Sequence, residues 1–148
     1  VSRDIARAMA RVSTLVTPNI AEASLLLGYE IDDRKTMEKA ARDLESWGFS
    51  HVLLKGGHLH EDTSCDVFFG KSCGETIMFQ SNRVDTENNH GTGCTLSSAI
   101  AAYLAWGHDI TQACHLAKRY ITEALIKGAG YTLGHGHGPV HHFHGIWE

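Results

Sequence analysis

His90-Gly91-Thr92-Gly93-Cys94-Thr95-Leu96-Ser97-Ser98-Ala99-Ile100 constrains the fold of this chain more than any other stretch. A polar run from Asp85 to Asn89 leads in, and an apolar helical pattern leads out. Leu96, Ala99, Ile100, Tyr103 and Leu104 recur at the spacing of one face of a buried helix. Gly91 and Gly93 let the backbone turn tightly and come close to a ligand. The first amides of such a helix have no internal partner, and its dipole places partial positive charge there. That combination can hold phosphate oxygens or a developing anion. Cys94 stands at the same mouth, the kind of environment that favours a thiolate nucleophile or base. The residues alone equally fit a glycine-containing loop that starts a core helix, with Cys94 as a small apolar filler.

The surrounding chain narrows the choice. Its 148 residues are enough for one domain with a sizeable core. With 43% hydrophobic and 20% charged residues, the composition is that of a soluble globular protein. The net charge of -4 argues against a general nucleic-acid binder, which carries a basic excess. No apolar run is long enough to cross a bilayer, and no stretch reads as a signal peptide. Cys65, Cys73, Cys94 and Cys114 form no C-x-x-C pair, so free thiols in a cytoplasmic protein are expected, with Cys65, Cys73 and Cys114 as core or surface thiols. The chain starts at Val1, without methionine, inside an amphipathic helix pattern whose stripe is Ile5, Met9 and Val12. That sets the expectation that an N-terminal part is missing.

Residues 3–12 read as a helix, and Leu15-Val16-Thr17 as a short buried strand ended by Pro18. Asn19 and Glu22 have capping-box spacing ahead of a short helix that Gly28 closes. Asp32 and Asp33 introduce a further helix with Met37, Ala40, Ala41, Leu44 and Trp47 on its apolar face, ended by Gly48. His51 to Lys55 reads as a strand running into Gly56-Gly57, and the helix–turn–strand succession points to an α/β crossover and a parallel sheet. Cys65–Phe69 and Thr76–Phe79 read as a hairpin, and Arg83-Val84-Asp85 as a last short strand. A long helix is expected from about Ile110 to Lys127, with Cys114 bordering its buried stripe. The tail from Leu133 is rich in glycine and histidine.

Three groups can carry chemistry. Asn19 and Glu22 fit a plain capping box first, and in a weaker pattern a carboxylate at a strand end that helps hold Mg²⁺ through waters. Lys55 fits a solvated lysine, or one facing a phosphate with glycines giving backbone access. Tail histidines 135, 137, 141, 142 and 144 are conceivable transition-metal ligands, but no cysteines stand at zinc-finger spacing.

Four motifs in order decide between these readings. They are Val16-Thr17-Pro18-Asn19-Ile20-Ala21-Glu22-Ala23, Leu53-Leu54-Lys55-Gly56-Gly57-His58, His90-Gly91-Thr92-Gly93-Cys94-Thr95-Leu96-Ser97 and Gly134-His135-Gly136-His137-Gly138-Pro139-Val140. In order and approximate spacing they resemble the hydroxymethylpyrimidine/phosphomethylpyrimidine kinase family of the ribokinase-like superfamily, over essentially the whole chain. Asn89 departs from that pattern, where threonine is usual, but lies outside the glycine loop.

The resemblance implies a three-layer α/β/α sandwich on a mostly parallel sheet, with a β-hairpin. Residues 1–148 would be its C-terminal, nucleotide-binding portion, and the N-terminal substrate half would be missing. It implies ATP-dependent phosphorylation of 4-amino-5-hydroxymethyl-2-methylpyrimidine and of its monophosphate in thiamine biosynthesis. ATP and Mg²⁺ are the implied cofactors, a small pyrimidine is the implied partner, and a homodimer is implied for the full-length protein, with neither nucleic acid nor membrane involved. Asn19 and Glu22 would organise Mg²⁺ near the ATP phosphates, and Lys55 would neutralise charge there. Gly91, Thr92, Gly93 and Cys94 would supply an anion hole of amides, with Cys94 as the base where related sugar kinases carry aspartate. A pyridoxal or pyridoxine kinase shares these features. A metal-binding module built on the tail, or a non-catalytic fragment, is the rival of a different class.

Overall fold

The computed structural model describes residues 3–57, 63–71 and 74–147. Two units pack within themselves, Val1–Arg83 and Val84–Glu148. His58, Ser72 and Cys73, part of the motif and hairpin readings, lie outside the described residues.

In the first unit, α1 (Arg3–Ala10), α2 (Ile20–Leu27) and α3 (Arg34–Glu45) accompany strands β1 (His51–Lys55), β2 (Thr63–Gly70) and β3 (Ile77–Asn82). The helix starts follow the sequence. Asn19 and Glu22 form both halves of a capping box on α2, and Gly28 closes that helix in the left-handed region at φ 83°. Asp33 caps α3 by accepting the Thr36 N–H at 2.7 Å. Met37, Ala40, Ala41 and Leu44 of α3 are buried, as their helical spacing requires, and join Val52, Leu54 and Val67 in one core. β1 is apolar at three successive positions because both its faces are covered: Val52, Leu53 and Leu54 are all buried.

The sheet corrects the expectation of mostly parallel strands. β1–β2–β3 is an antiparallel meander, with His51 opposite Gly70, Lys55 opposite Asp66 and Phe68 opposite Ile77. A hairpin follows β1 directly, so the strand next to it runs back rather than crossing over a helix. Among the described residues of this unit, parallel pairing is confined to two bridges, Val16 with Val52 and Asn19 with Lys55. The expected Leu15–Thr17 strand is that pairing segment, and the pairing runs on past Pro18, whose carbonyl accepts the Lys55 N–H. Arg83-Val84-Asp85 is not a strand. The expected N-terminal helix is α1. Ala6 and Ala10 are its buried residues, and Ile5, Met9 and Val12 are exposed.

In the second unit, α4 (Thr92–Ala105) packs on α5 (Ile110–Gly128). Leu96 and Ile100 of α4 are buried, as are Ala113, Ala117, Ile121 and Ala124 of α5. Cys114 is fully buried beside that stripe, and Cys65 is buried in β2. Asp109 caps α5 by accepting the Gln112 N–H at 2.9 Å. Among the described residues no helix is long and apolar enough to cross a membrane.

Candidate functional site

In the first unit the sequence-predicted residues meet where two parallel segments end. The Val16 N–H donates to the His51 carbonyl at 3.1 Å, the Leu53 N–H to the Val16 carbonyl at 2.8 Å, and the Lys55 N–H to the Pro18 carbonyl at 2.9 Å. This ladder asks Pro18 only for its oxygen, so the proline fits. Pairing sets Asn19 beside Lys55 at the carboxyl ends of both segments, the end where ligands gather in α/β sheets. Glu22 lies one helical turn on. Its Oε2 accepts the Asn19 N–H at 2.8 Å, and Asn19 Oδ1 accepts the Glu22 N–H at 2.8 Å.

The capping reading of this pair is therefore realised, without closing the other one. A carboxylate has about four acceptor positions, one is used by the cap, and Glu22 is exposed. One carboxylate and one amide oxygen suit a Mg²⁺ that keeps most of its waters, and fall short of a dry protein cage.

Gly56 has a packing reason for being glycine. A Cβ there would overlap the Cys65 carbonyl oxygen and stand 2.7 Å from Met37 Cε. Its N–H donates to Asp66 Oδ1 at 3.0 Å. Asp66, buried and paired across the ladder with Lys55, stands in none of the sequence motifs. Its signal was present: one acid inside the apolar run Cys65 to Phe69 needs a hydrogen-bonding partner.

In the second unit the glycine loop opens α4 as its residues require. Gly91 is the N-cap at φ 84°, ψ 0°, and no side chain caps the helix. Nothing but Thr95 Oγ1, 4.0 Å away, would meet a Cβ at Gly91, so backbone angle and not crowding calls for glycine here. The Thr92 N–H and Oγ1 both donate to the Asn89 carbonyl, at 3.2 and 2.6 Å, and the Thr95 N–H closes the first turn on the Gly91 carbonyl at 2.8 Å. The N–H groups of Gly91, Gly93 and Cys94 take no protein acceptor among the described residues. Cys94 is exposed and carries a free thiol. Three uncommitted donors and a thiol thus share one helix mouth, which suits an anion.

The tail holds the loop from behind. His90 pairs with Pro139: its N–H donates to the Gly138 carbonyl at 3.0 Å, and its carbonyl accepts the Val140 N–H at 3.4 Å. Buried Asn88, another residue the sequence reading missed, donates through Nδ2 to the carbonyls of Gly128 and Tyr131, both at 2.7 Å. A cleft of about 480 Å³ opens between residues 85–88 and 129–136. The histidines serve attachment. His137 Nδ1 lies 3.2 Å from the Glu87 carbonyl, the His141 N–H donates to Ala124, and the His144 ring packs 4.9 Å from that of Tyr120. Among the described residues no three metal-ligating side chains gather.

A model of the phosphomethylpyrimidine kinase family matches residues 2–141. The hydroxymethylpyrimidine/phosphomethylpyrimidine kinase of Rhizobium meliloti is 42% identical over 139 residues, covering 93% of this chain and 51% of that protein. The thiamine biosynthesis bifunctional protein ThiED of Geobacter sulfurreducens is 49% identical over 128 residues, covering 86% of this chain and 25% of that protein. Among solved structures, the Staphylococcus aureus pyridoxal kinase in complex with AMP-PCP superposes with a TM-score of 0.88 at 30% identity, covering 96% of this chain and 51% of that one. The chain spans about half the length, or less, of these relatives.

Proposed function

The chain belongs to the phosphomethylpyrimidine kinase family, and from that premise we propose that it is the nucleotide-handling portion of a three-layer ribokinase-like kinase. Its reaction is ATP-dependent phosphorylation of 4-amino-5-hydroxymethyl-2-methylpyrimidine, then of the monophosphate, in thiamine biosynthesis. The observation that carries the reading is the mouth of α4, where three main-chain donors beside left-handed Gly91 have no protein acceptor among the described residues.

Phosphoryl transfer depends on in-line positioning and on stabilising charge spread over the transferred group. The N–H groups of Gly91, Gly93 and Cys94 hold the oxygens of that group, and Thr92 fixes the turn through Asn89. A donor of this kind is worth about 3 kcal/mol, judged by oxyanion holes. Cys94, as the thiolate, takes the proton of the hydroxymethyl group as its oxygen attacks the γ-phosphorus of ATP and the bond to the ADP oxygen breaks. In the first unit, Lys55 would neutralise phosphate charge, and Asn19 and Glu22 would hold a hydrated Mg²⁺, whose charge would offset that of phosphate.

Calorimetric titration with Mg²⁺·ATP and with adenosine tests this. Binding of ATP stronger than that of adenosine is expected, and equal affinities would count against a phosphate site. The likeness to a pyridoxal kinase favours a second reading, phosphorylation of a pyridoxal-type alcohol. Offering both alcohols to the enzyme in its full family length separates the two. Preferential consumption of hydroxymethylpyrimidine is expected, and a preference for pyridoxal would move the assignment.

A further inference from the structure

The three donors at the mouth of α4 are aimed by no bond of their own, since they take no protein acceptor among the described residues. Gly91 caps the helix from the left-handed region without a side chain, and glycine stiffens a backbone least of all residues. An anion hole is effective when its donors are aimed before the anion arrives. The stiffness therefore has to come from behind the loop, and the contacts there converge on Asn88. Its side chain is buried, and both amide hydrogens are committed, one to the Gly128 carbonyl at the end of α5 and one to the Tyr131 carbonyl beyond it. Its backbone N–H donates to Thr86 Oγ1 at 3.0 Å. Its other side meets the tail: a Cβ at Gly138 would overlap Asn88 Oδ1 and stand 2.7 Å from its Cγ. Gly138 is thus glycine because Asn88 fills the space a side chain would need. The His141 N–H, donating to the Ala124 carbonyl at 3.2 Å, closes the tail back onto α5.

We propose that Asn88 is the positioning residue of this anion site: it touches no phosphate, and it aims the Gly91, Gly93 and Cys94 amides through the two residues that follow it. The route is short. The Asn89 carbonyl accepts the Thr92 N–H and hydroxyl, which sets the first turn of α4. His90 exchanges hydrogen bonds with Gly138 and Val140, in the tail segment that Asn88 packs against. With the Asn88 amide in place, the loop is tied to α5 and the tail on one side and to α4 on the other, so Gly91 turns between two fixed points. Without it the carbonyls of Gly128 and Tyr131 lose their donor, the space beside Gly138 opens, and residues 88–90 gain freedom that Gly91 transmits to the amides. A misplacement of about 1 Å is enough to cost on the order of 10²-fold in a positioned reaction. The inference rests on the phosphate-binding reading of the mouth and adds a residue that reading does not use.

Calorimetric titration compares binding of Mg²⁺·ATP and of adenosine by the chain and its variants, each first shown by circular dichroism to be folded at the temperature used. Asn88→Ala should lower the preference for ATP over adenosine by about tenfold, the worth of one hydrogen bond to a charged group, and leave adenosine affinity unchanged. Cys114→Ala, which removes buried volume near the start of α5, at the far end from Gly128, should keep the preference, because lost stability alone does not redirect the amides. Gly138→Ala keeps the Asn88 amide but displaces it, and should lower the preference by a similar factor; it carries the test if Asn88→Ala does not fold. Combined, the two substitutions should cost little more than Asn88→Ala alone, because the added methyl then enters vacated space. Retention of the preference in Asn88→Ala or Gly138→Ala, an equal loss in Cys114→Ala, or additive losses in the double variant overturns the proposal and leaves the phosphate site itself standing. Equal affinities of the unaltered chain for ATP and adenosine would instead remove the site, and the proposal with it.

Discussion

Cys94 and Glu22 separate chemistry from architecture because conservative replacements keep one and remove the other. An alcohol must lose a proton on phosphorylation, whereas a phosphate monoester is already largely ionised at pH 7, its second pKa being about 6. Cys94→Ser should therefore slow the first phosphorylation by on the order of 10²–10⁴-fold, the usual range for a general base, and the second much less. Rate measurements on each substrate decide this, and equal losses would remove Cys94 from the base role. Glu22→Gln preserves an oxygen for the Asn19 N–H and so preserves the cap, but lowers the charge facing a cation. The Mg²⁺ requirement should rise with little change in thermal stability, and an unchanged Mg²⁺ titration would speak against the role. Asn88→Ala is the structural contrast. It strips the donor from two carbonyls at 2.7 Å and should lower stability by about 2 kcal/mol, from two lost hydrogen bonds, with faster hydrogen exchange at the His90 amide.

At the scale of elements, the helix starts were the most legible part of the chain. Asn19–Glu22 and Asp33 announce α2 and α3 through local hydrogen bonds that need no distant partner. Those bonds also set a pH dependence. The Thr36 backbone N–H, then its hydroxyl, holds the Asp33 carboxyl below its ordinary value. A depressed folded pKa means that this cap contributes fully above the ordinary carboxylate range and is lost as pH falls through the folded value. Asp33→Asn, which keeps a capping oxygen, should flatten that acid limb in a pH series of thermal melts; an unchanged limb would put the acid sensitivity elsewhere. Gly91→Ala should loosen the start of α4, since alanine at φ 84° costs roughly 1–2 kcal/mol. Sheet direction was much less legible. Apolar β1 looks the same to a sequence reader whether its neighbour runs parallel or antiparallel, and the register with β2 is settled by long-range pairing. Similarly, Ile5, Met9 and Val12 have the spacing of a buried stripe, and the sequence does not say that two alanines pack more closely on Trp47 and Gly48. The candidate site divides the same way. Gly91 and Cys94 are legible as a local motif, but Asp66 and Asn88 matter only through partners 10 and 40 residues away.

At the scale of the whole molecule, the proposed reading rests on nucleotide binding by a chain about half as long as its Rhizobium meliloti relative. The most direct test of the central claim is a ¹⁵N amide NMR titration with Mg²⁺·ATP, using adenosine as the control. The Gly91, Gly93 and Cys94 amide resonances should move downfield with ATP and stay in place with adenosine, while Thr92, already bonded to Asn89, should move less. Three unmoved amides beside shifts elsewhere in the chain would contradict it.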